Sequence, residues 1–325
     1  GKQREKTMTT RVFIQIRRRK LAVIELLILA GLLTSVPLAA QAINGQKTFS
    51  SPLEAVKNLI DAARSGDPAQ LVPIIGPQAA DLISSGDLGT AKQVLANFVK
   101  AYDQRHSVSA EAQGFEFLQV GTGDWPFPFP IVRDGEMWYF DIDRGNEEIL
   151  DRRVGRNELG AIAVCEGYVQ SQKDYASKGH DGDSRDIYAQ RFLSNPGKQD
   201  GLYWAVSKGE PESPMGPLVA SAALESPSQQ PAGGPAPYYG YFYKIITAQG
   251  PDAAGGAKSY ITDGKLTGGF ALIAYPAHYA ATGIMTFIVN QDGVVYQQDL
   301  GEQTSDLASK ITAYNPDSSW RSAQD

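Results

Sequence analysis

The sequence is poor in the two side chains that most often build catalytic and metal centres. Its 325 residues contain one cysteine, Cys165, and three histidines, His106, His180 and His278. A single cysteine excludes an intrachain disulfide, so the fold depends on packing. The histidines lie far apart in the sequence and show no metal-ligand spacing. Because Cys165 lies in a predicted helix among aliphatic residues, we interpret it as a small buried side chain and not as a nucleophile.

Motifs of the common enzyme classes are also missing. The chain contains no phosphate-binding loop, no G-x-S-x-G, no H-E-x-x-H and no C-x-x-C. Catalytic residues can also come together from distant positions in a sequence, so these absences do not exclude an enzyme. The leading hypothesis is therefore a non-enzymatic protein, and an enzyme stays open as the alternative.

The first 42 residues have the three-part pattern of a secretory signal peptide. A basic stretch, 11–20, precedes an apolar run, Leu21–Leu33, and the small-residue triplet Ala40-Gln41-Ala42 follows. The apolar run is shorter than the roughly 20 residues that span a bilayer, and Glu25 interrupts it. We therefore predict export to the periplasm or the medium, cleavage after Ala42, and no stable membrane anchor in the mature protein.

The charge of the predicted mature chain is strongly negative. Without residues 1–42, the chain keeps 22 basic and 34 acidic residues and has a formal net charge of −12. Nucleic acids and anionic lipid surfaces attract clustered lysine and arginine. The composition therefore argues against both as partners.

The predicted fold class is α+β, with two domains after the signal peptide. Residues 43–150 are predicted to form a helical domain with a small sheet. Ser51 and Glu54 match a capping box at the first helix, and Asp134-Gly135 is a hairpin signal. The alternating prolines of 125–130 predict an extended segment, which we interpret as a packed connection, with a partner-docking surface as the alternative.

Residues 151–325 are predicted to contain a long helix packed on an antiparallel sheet. The helix covers about 145–177, with a break near Gly155, and we expect Leu159 and Ile162 to be buried in it. An irregular insertion, 178–237, follows it and includes a short helix near 217–224. Four strands are predicted after that insertion: 239–247, 270–275, 284–290 and 294–297. The Asp292-Gly293 pair predicts a hairpin between the last two strands.

Several sequence blocks resemble a known family. "DWPFPFPIVRDGEMWYFD", "FLSNPGKQDGLYW" and "GIMTFIVNQDGVVYQQDLG" are similar to blocks of a secreted bacterial family catalogued as domain of unknown function 2950. The resemblance covers nearly all of the mature chain and implies no activity or site residue.

Two further resemblances concern architecture only. The order of helix, loop and strands in the second half resembles the globular part of pilins and pseudopilins. The helical start "SPLEAVKNLIDAARSGDPAQL" before a sheet resembles nuclear-transport-factor-like proteins.

One short loop carries a candidate cation site. Asp181, Asp183 and Asp186 alternate with glycine and serine, a spacing that lets a loop direct several carboxylates at Ca²⁺. Arg185 interrupts the pattern and no bidentate glutamate closes it, so a solvated acidic turn is the other interpretation. These three aspartates are the only metal-site residues that the sequence predicts, and no other cofactor is expected.

Two classes of function remain open from the sequence. The first is a non-enzymatic envelope module that binds a protein partner or scaffolds an assembly. The second is a small-molecule binder or hydrolase with a pocket in the first domain or at the domain junction. A deep pocket with converging ionisable groups would favour the second class, and an exposed aromatic patch would favour the first.

Overall fold

A computed structural model describes residues 45–80, 88–111, 114–195, 197–206, 209, 212–215 and 237–324. The predicted signal peptide and the short helix predicted near 217–224 lie outside these residues. Contacts between Cα atoms divide the chain into two compact units, with the boundary between Arg152 and Arg153.

The first unit begins with helices. They are α1 (Pro52–Arg64), a 3₁₀ turn (Pro68–Leu71), α2 (Val72–Ile75) and α3 (Leu88–Gln104). The hydroxyl of Ser51 accepts a hydrogen bond from the backbone N–H of Glu54, so the predicted cap of α1 is confirmed. The Glu54 carboxylate binds the N–H of Ser50, one residue earlier than a standard capping box predicts.

An antiparallel sheet follows these helices. Its strands are β1 (His106–Glu111), β2 (Phe115–Val120), β3 (Trp125–Pro126), β4 (Ile131–Asp134) and β5 (Met137–Phe140). The order is β1-β2-β4-β5, and β3 pairs with β2. The Asp134-Gly135 turn joins β4 to β5 as predicted, with Gly135 at a φ of 60°.

Helix α4 (Ile142–Ala176) is one continuous helix of 35 residues. The predicted break near Gly155 is therefore wrong. A glycine inside a helix costs only about 1 kcal/mol relative to alanine, and the surrounding helix tolerates that cost.

The second unit packs the later part of α4 against an antiparallel sheet. The strands of the sheet are β6 (Tyr241–Ile246), β11 (Ala271–Pro276), β12 (Met285–Asn290), β13 (Tyr296–Asp299) and β14 (Arg321–Ser322). Their order in the sheet is β14-β13-β12-β11-β6. Four short strands lie between β6 and β11: β7 (Ala248–Gln249), β8 (Lys258–Ser259), β9 (Ile261–Thr262) and β10 (Lys265–Leu266). Helix α5 (Thr304–Lys310) precedes β14.

These elements confirm the α+β class with antiparallel sheets. The Asp292-Gly293 turn joins β12 to β13, and Gly293 has a φ of 82°. The burial prediction for Leu159 was wrong, because Leu159 is 40% exposed, and Ile162 is only partly buried. The buried stripe of α4 runs instead through Ala161, Cys165 and Tyr168, and Leu159 lies about 200° around the helix from Ala161.

Within the described residues, no helix combines the length and the apolar character that crossing a bilayer requires.

Candidate functional site

A cavity of about 790 Å³ lies between the helices and the sheet of the first unit. This volume falls within the range of about 300–1,000 Å³ that is typical of small-molecule pockets. Its deepest lining side chains are buried and apolar: Leu59, Leu71, Ile75, Leu95, Phe127 and Phe129.

Helical spacing explains how α1 and α3 supply two walls of this cavity. Residues four apart lie on one face of a helix. Leu59 and Ala63 take that spacing in α1, and Ala91 and Leu95 take it in α3. All four side chains are aliphatic, so these positions offer a ligand no hydrogen bonds.

The proline-rich connection, residues 125–130, forms a third wall. The backbone N–H of Phe127 donates to the carbonyl of Leu118 at 2.7 Å, which fastens this segment to β2. The rings of Phe127 and Phe129 are 5.4 Å apart, and the Phe98 ring of α3 lies 5.2 Å from that of Phe127. The predicted packed connection thus lines the cavity.

Gly145 of α4 lets Phe129 take its place in this wall. A Cβ atom at position 145 would overlap the Phe129 ring. Glycine is therefore required by close packing at this point and not by backbone conformation.

The cavity opens to solvent beside Val94 and Trp125, which line it and are 59% and 48% exposed. The rim also includes the turn that starts at Gly121. That turn is tied to the end of α3, because the Gly121 N–H donates to the Ala101 carbonyl at 3.0 Å. An ion pair of 3.4 Å between Arg105 and Asp124 supports the same connection.

Arg152 contacts Trp125 but is not one of the residues that line the cavity. Its guanidinium carbon is 4.8 Å from the centre of the Trp125 ring, a cation–π distance. Its Nε donates to Glu148 Oε1 at 2.9 Å. Among the described residues, its Nη1 is buried and has no hydrogen-bond partner.

The described lining of the cavity contains no ionisable side chain, and its polar side chains are those of Gln104 and Thr122. General acid–base catalysis needs a titratable group within hydrogen-bond reach of the substrate. The arrangement can therefore hold an apolar molecule, while its described walls supply no such group.

The three predicted calcium ligands lie in the second unit with other partners. Asp183 forms an ion pair with Lys265, and Asp181 Oδ2 accepts a hydrogen bond from the Gln199 N–H at 2.8 Å. The N–H of Asp186 donates to the Ala176 carbonyl at 2.9 Å. Across the described segments, no group of three or more His, Cys, Asp or Glu residues is placed to hold a metal ion. Calcium binding by these aspartates stays a prediction, and the ion pair favours the solvated turn.

Cys165 and the histidines do not form a nucleophilic site in the described residues. Cys165 is fully buried, and its burial raises the pKa of the thiol, with the Glu166 charge adding to this. His106 stacks on Tyr102 with ring centres 3.7 Å apart. His180 is 8% exposed and lies between aromatic rings, with Nδ1 3.1 Å from Gln199 Oε1.

Glu158 is a buried acid that no sequence motif indicated. It is 6% exposed, and its Oε1 accepts hydrogen bonds from the N–H groups of Ile284 and Met285 at 2.9 and 3.0 Å. Burial raises the pKa of this carboxyl, although the two hydrogen bonds act against the shift. Because its acceptor binds backbone at the start of β12, Glu158 fastens that strand to α4.

Comparison with known proteins shows the family. The model of the family described as "Protein of unknown function (DUF2950)" matches residues 46–323, so the chain belongs to that family. No curated protein and no solved structure matched the chain. The membership brings no site residue with it, so the function is argued from the geometry of the cavity.

Proposed function

We propose that this protein is an exported, non-enzymatic binding protein whose first unit holds a small apolar ligand. The observation that carries the proposal is the cavity of about 790 Å³ with its aliphatic and aromatic walls. Each Å² of apolar surface that a ligand removes from water contributes roughly 25 cal/mol. A cavity with such walls therefore gives affinity for apolar molecules without any charged contact.

The absence of ionisable groups from the described lining supports binding over hydrolysis. A hydrolase would need a general base or a nucleophile beside the substrate. The described lining supplies two polar side chains, Gln104 and Thr122, and both belong to exposed rim residues. Of the two small-molecule functions, we therefore propose binding and not hydrolysis.

Binding of an envelope protein partner is the second candidate. Trp125 and Val94 expose apolar surface at the cavity opening, and tryptophan is enriched at protein interfaces. A partner that inserts an apolar side chain would use the same opening. The resemblance of the second half of the sequence to pilin-like proteins is a further argument for this candidate. The resemblance of the first half to nuclear-transport-factor-like proteins concerns the fold alone.

Export rests on the pattern of residues 1–42. Fusion of residues 1–50 to a reporter that is active only outside the cytoplasm should give activity, and the mature chain should begin at Ile43. A mature protein that stays in the membrane with its apolar run intact would contradict export.

The binding proposal is tested with a neutral fluorescent naphthylamine, which brightens in apolar surroundings. The protein should first be unfolded, washed free of lipid and refolded. Ala91→Phe places a ring in the cavity and should weaken probe binding by at least about tenfold, the equivalent of 1.4 kcal/mol.

The matched control for Ala91→Phe is Gln93→Phe, which adds a ring to the exposed face of the same helix. This control should bind the probe as the wild type does. Equal binding by both variants and the wild type would place the probe elsewhere and overturn the proposal. A small molecule that binds one-to-one would favour the first candidate over a protein partner.

A further inference from the structure

We infer that the ligand is an uncharged amphiphile, with one hydrocarbon chain and a hydroxylated head like that of a monoacylglycerol. Gln104 and Thr122 bind this head at the opening of the cavity. The inference rests on the proposed function, because it assigns the chemistry of the ligand that the cavity holds. It depends on where the polar groups of the lining lie, on the hydrogen bonds that they can make and on the charges beside them.

The polar side chains of the described lining lie together at one end of the cavity. Gln104 is the last residue of α3, and Thr122 follows Gly121 in the turn after β2. The Gly121 N–H donates to the carbonyls of Ala101 and Arg105 at 3.0 and 2.8 Å, which holds this turn against the end of α3. Gln104 and Thr122 both line the cavity and are exposed, so a bound molecule has access to their side chains.

The deep part of the cavity has the opposite character. Its buried side chains are aliphatic or aromatic, among them Leu71, Ile75 and Phe129. A hydrocarbon chain can fill this part while a polar head meets Gln104 and Thr122. A molecule that is apolar throughout would cover these two side chains without giving them a hydrogen bond, which costs free energy.

The polar end offers donors and acceptors together. In the described residues, the side chains of Gln104 and Thr122 make no hydrogen bond, and the backbone N–H groups of Thr122 and Gly123 donate none. An amide and a hydroxyl side chain can each donate and accept. A hydroxylated head can also do both, whereas a carboxylate only accepts and an ammonium only donates. The hydroxylated head is therefore the better match.

The charges beside this end cancel each other. Arg105 and Asp124 directly follow Gln104 and Gly123 in the sequence, and they form an ion pair of 3.4 Å. This pair leaves no net charge to compensate a charged head that loses part of its hydration at the opening. The predicted mature chain also has a net charge of −12, which disfavours an anionic ligand. An uncharged head avoids both costs.

The test compares three ligands with chains of the same length: monododecanoylglycerol, dodecanoate and dodecyltrimethylammonium. Each is titrated into the lipid-free protein below the concentration at which it forms micelles, and displacement of the fluorescent naphthylamine reports binding. The wild type should bind the uncharged ligand at least about tenfold more tightly than either charged ligand, because the hydrogen bonds of its head add to similar chain contacts.

Gln104→Leu and Thr122→Val together remove the side-chain partners of the head and keep similar side-chain shapes. In this double variant, the preference for the uncharged ligand should fall by at least about fivefold, the loss expected for one hydrogen bond. Both charged ligands should bind within about twofold of their wild-type affinities, which also reports that the variant has folded. The comparison of the three ligands on the wild type decides the inference even if the double variant does not fold.

Gln93→Leu is the matched control. Gln93 is an exposed glutamine of the same helix that does not line the cavity, so this variant should keep the full preference.

The outcomes separate this inference from the proposed function. Failure of the naphthylamine and of all three ligands to bind the wild type would overturn the proposed function. Equal or tighter binding of either charged ligand, or an unchanged preference in the folded double variant, would overturn the inference of an uncharged hydroxylated head. The cavity would then be a general apolar site.

Discussion

Replacement of Ala79 with leucine tests whether the cavity is empty space in the ligand-free protein. Ala79 is 3% exposed and lines the cavity. The change adds three carbon atoms, and burial of each contributes about 0.8 kcal/mol, or roughly 2.4 kcal/mol in total. Ordering the leucine side chain costs about 0.5–1 kcal/mol. We therefore expect the free energy of unfolding to rise by about 1.5 kcal/mol.

The same substitution at Ala55 is the control. Ala55 is fully buried in α1 and does not line the cavity. Extra carbon atoms in a close-packed core cost about 1–3 kcal/mol, because neighbouring side chains must shift. Ala55→Leu should therefore lower the free energy of unfolding, and the two leucine variants should differ by roughly 3 kcal/mol.

Urea unfolding of lipid-free protein, followed by far-ultraviolet circular dichroism, measures both changes by linear extrapolation. Equal slopes against urea concentration would assign the differences to stability. Destabilisation by Ala79→Leu to the same extent as by Ala55→Leu would show that no space exists beside Ala79. The cavity argument would then lose its basis.

Three other perturbations test separate parts of the structure. Burial raises the pKa of Glu158 above its ordinary value, so the folded state holds this proton more tightly than the unfolded state. The resulting stabilisation is lost as the pH rises from the ordinary pKa of a glutamate through the raised pKa. Glu158→Gln keeps the acceptor oxygen and should flatten that loss in urea titrations at pH 4 to 8; an unchanged pH profile would contradict the assignment. Gly145→Ala should destabilise by about 1 kcal/mol, because overpacking against the Phe129 ring outweighs the gain in helix propensity, and it should weaken probe binding. A Cβ atom at Gly155 of the same helix would meet no atom within 4 Å, so Gly155→Ala should stabilise the protein by up to about 1 kcal/mol. Destabilisation by both alanine variants would refute the packing argument. The calcium hypothesis predicts that a hundredfold excess of Ca²⁺ over its dissociation constant stabilises the protein by about 2.7 kcal/mol. Asp183→Ala should abolish this stabilisation. If millimolar Ca²⁺ does not change the melting temperature, the solvated turn is the interpretation that stands.

Local patterns predicted much of the secondary structure. Alternation of apolar residues and the Asp-Gly pairs at 134–135 and 292–293 identified antiparallel hairpins, because these turns need residues that accept positive φ. Turn and strand signals depend only on residues that are neighbours in the sequence, and both predicted hairpins are present in the structure.

The face that each helix buries was harder to predict. Apolar residues lie on more than one side of helix α4, and periodicity alone does not say which of them the sheet covers. The structure buries Cys165 and Tyr168 and leaves Leu159 at the surface. The choice depends on partners more than 70 residues away, such as Ala271, whose carbonyl accepts a hydrogen bond from the Tyr168 hydroxyl at 3.2 Å.

A pocket in the first domain was one hypothesis from the sequence, but most of its walls could not be predicted, and only one of them left a signal. Leu59, Leu95 and Phe127 read as ordinary core residues, and only the assembled helices and sheet show that they leave space between them. The Trp-Pro-Phe-Pro-Phe-Pro segment was predicted as a packed connection. Its prolines exclude a central strand, and the structure places the side chains of Phe127 and Phe129 in the cavity wall.

Fluorescence of Trp125 gives the most direct measurement of the central claim, because this residue lines the opening of the cavity. A long-chain alcohol that carries bromine near its end quenches a tryptophan only at short range. The difference between the wild type and Trp125→Phe isolates the signal from this one residue. We predict quenching that saturates at one ligand per protein and that Ala91→Phe abolishes. Absence of quenching, or quenching that grows without saturation and persists in Ala91→Phe, would contradict ligand binding in the cavity.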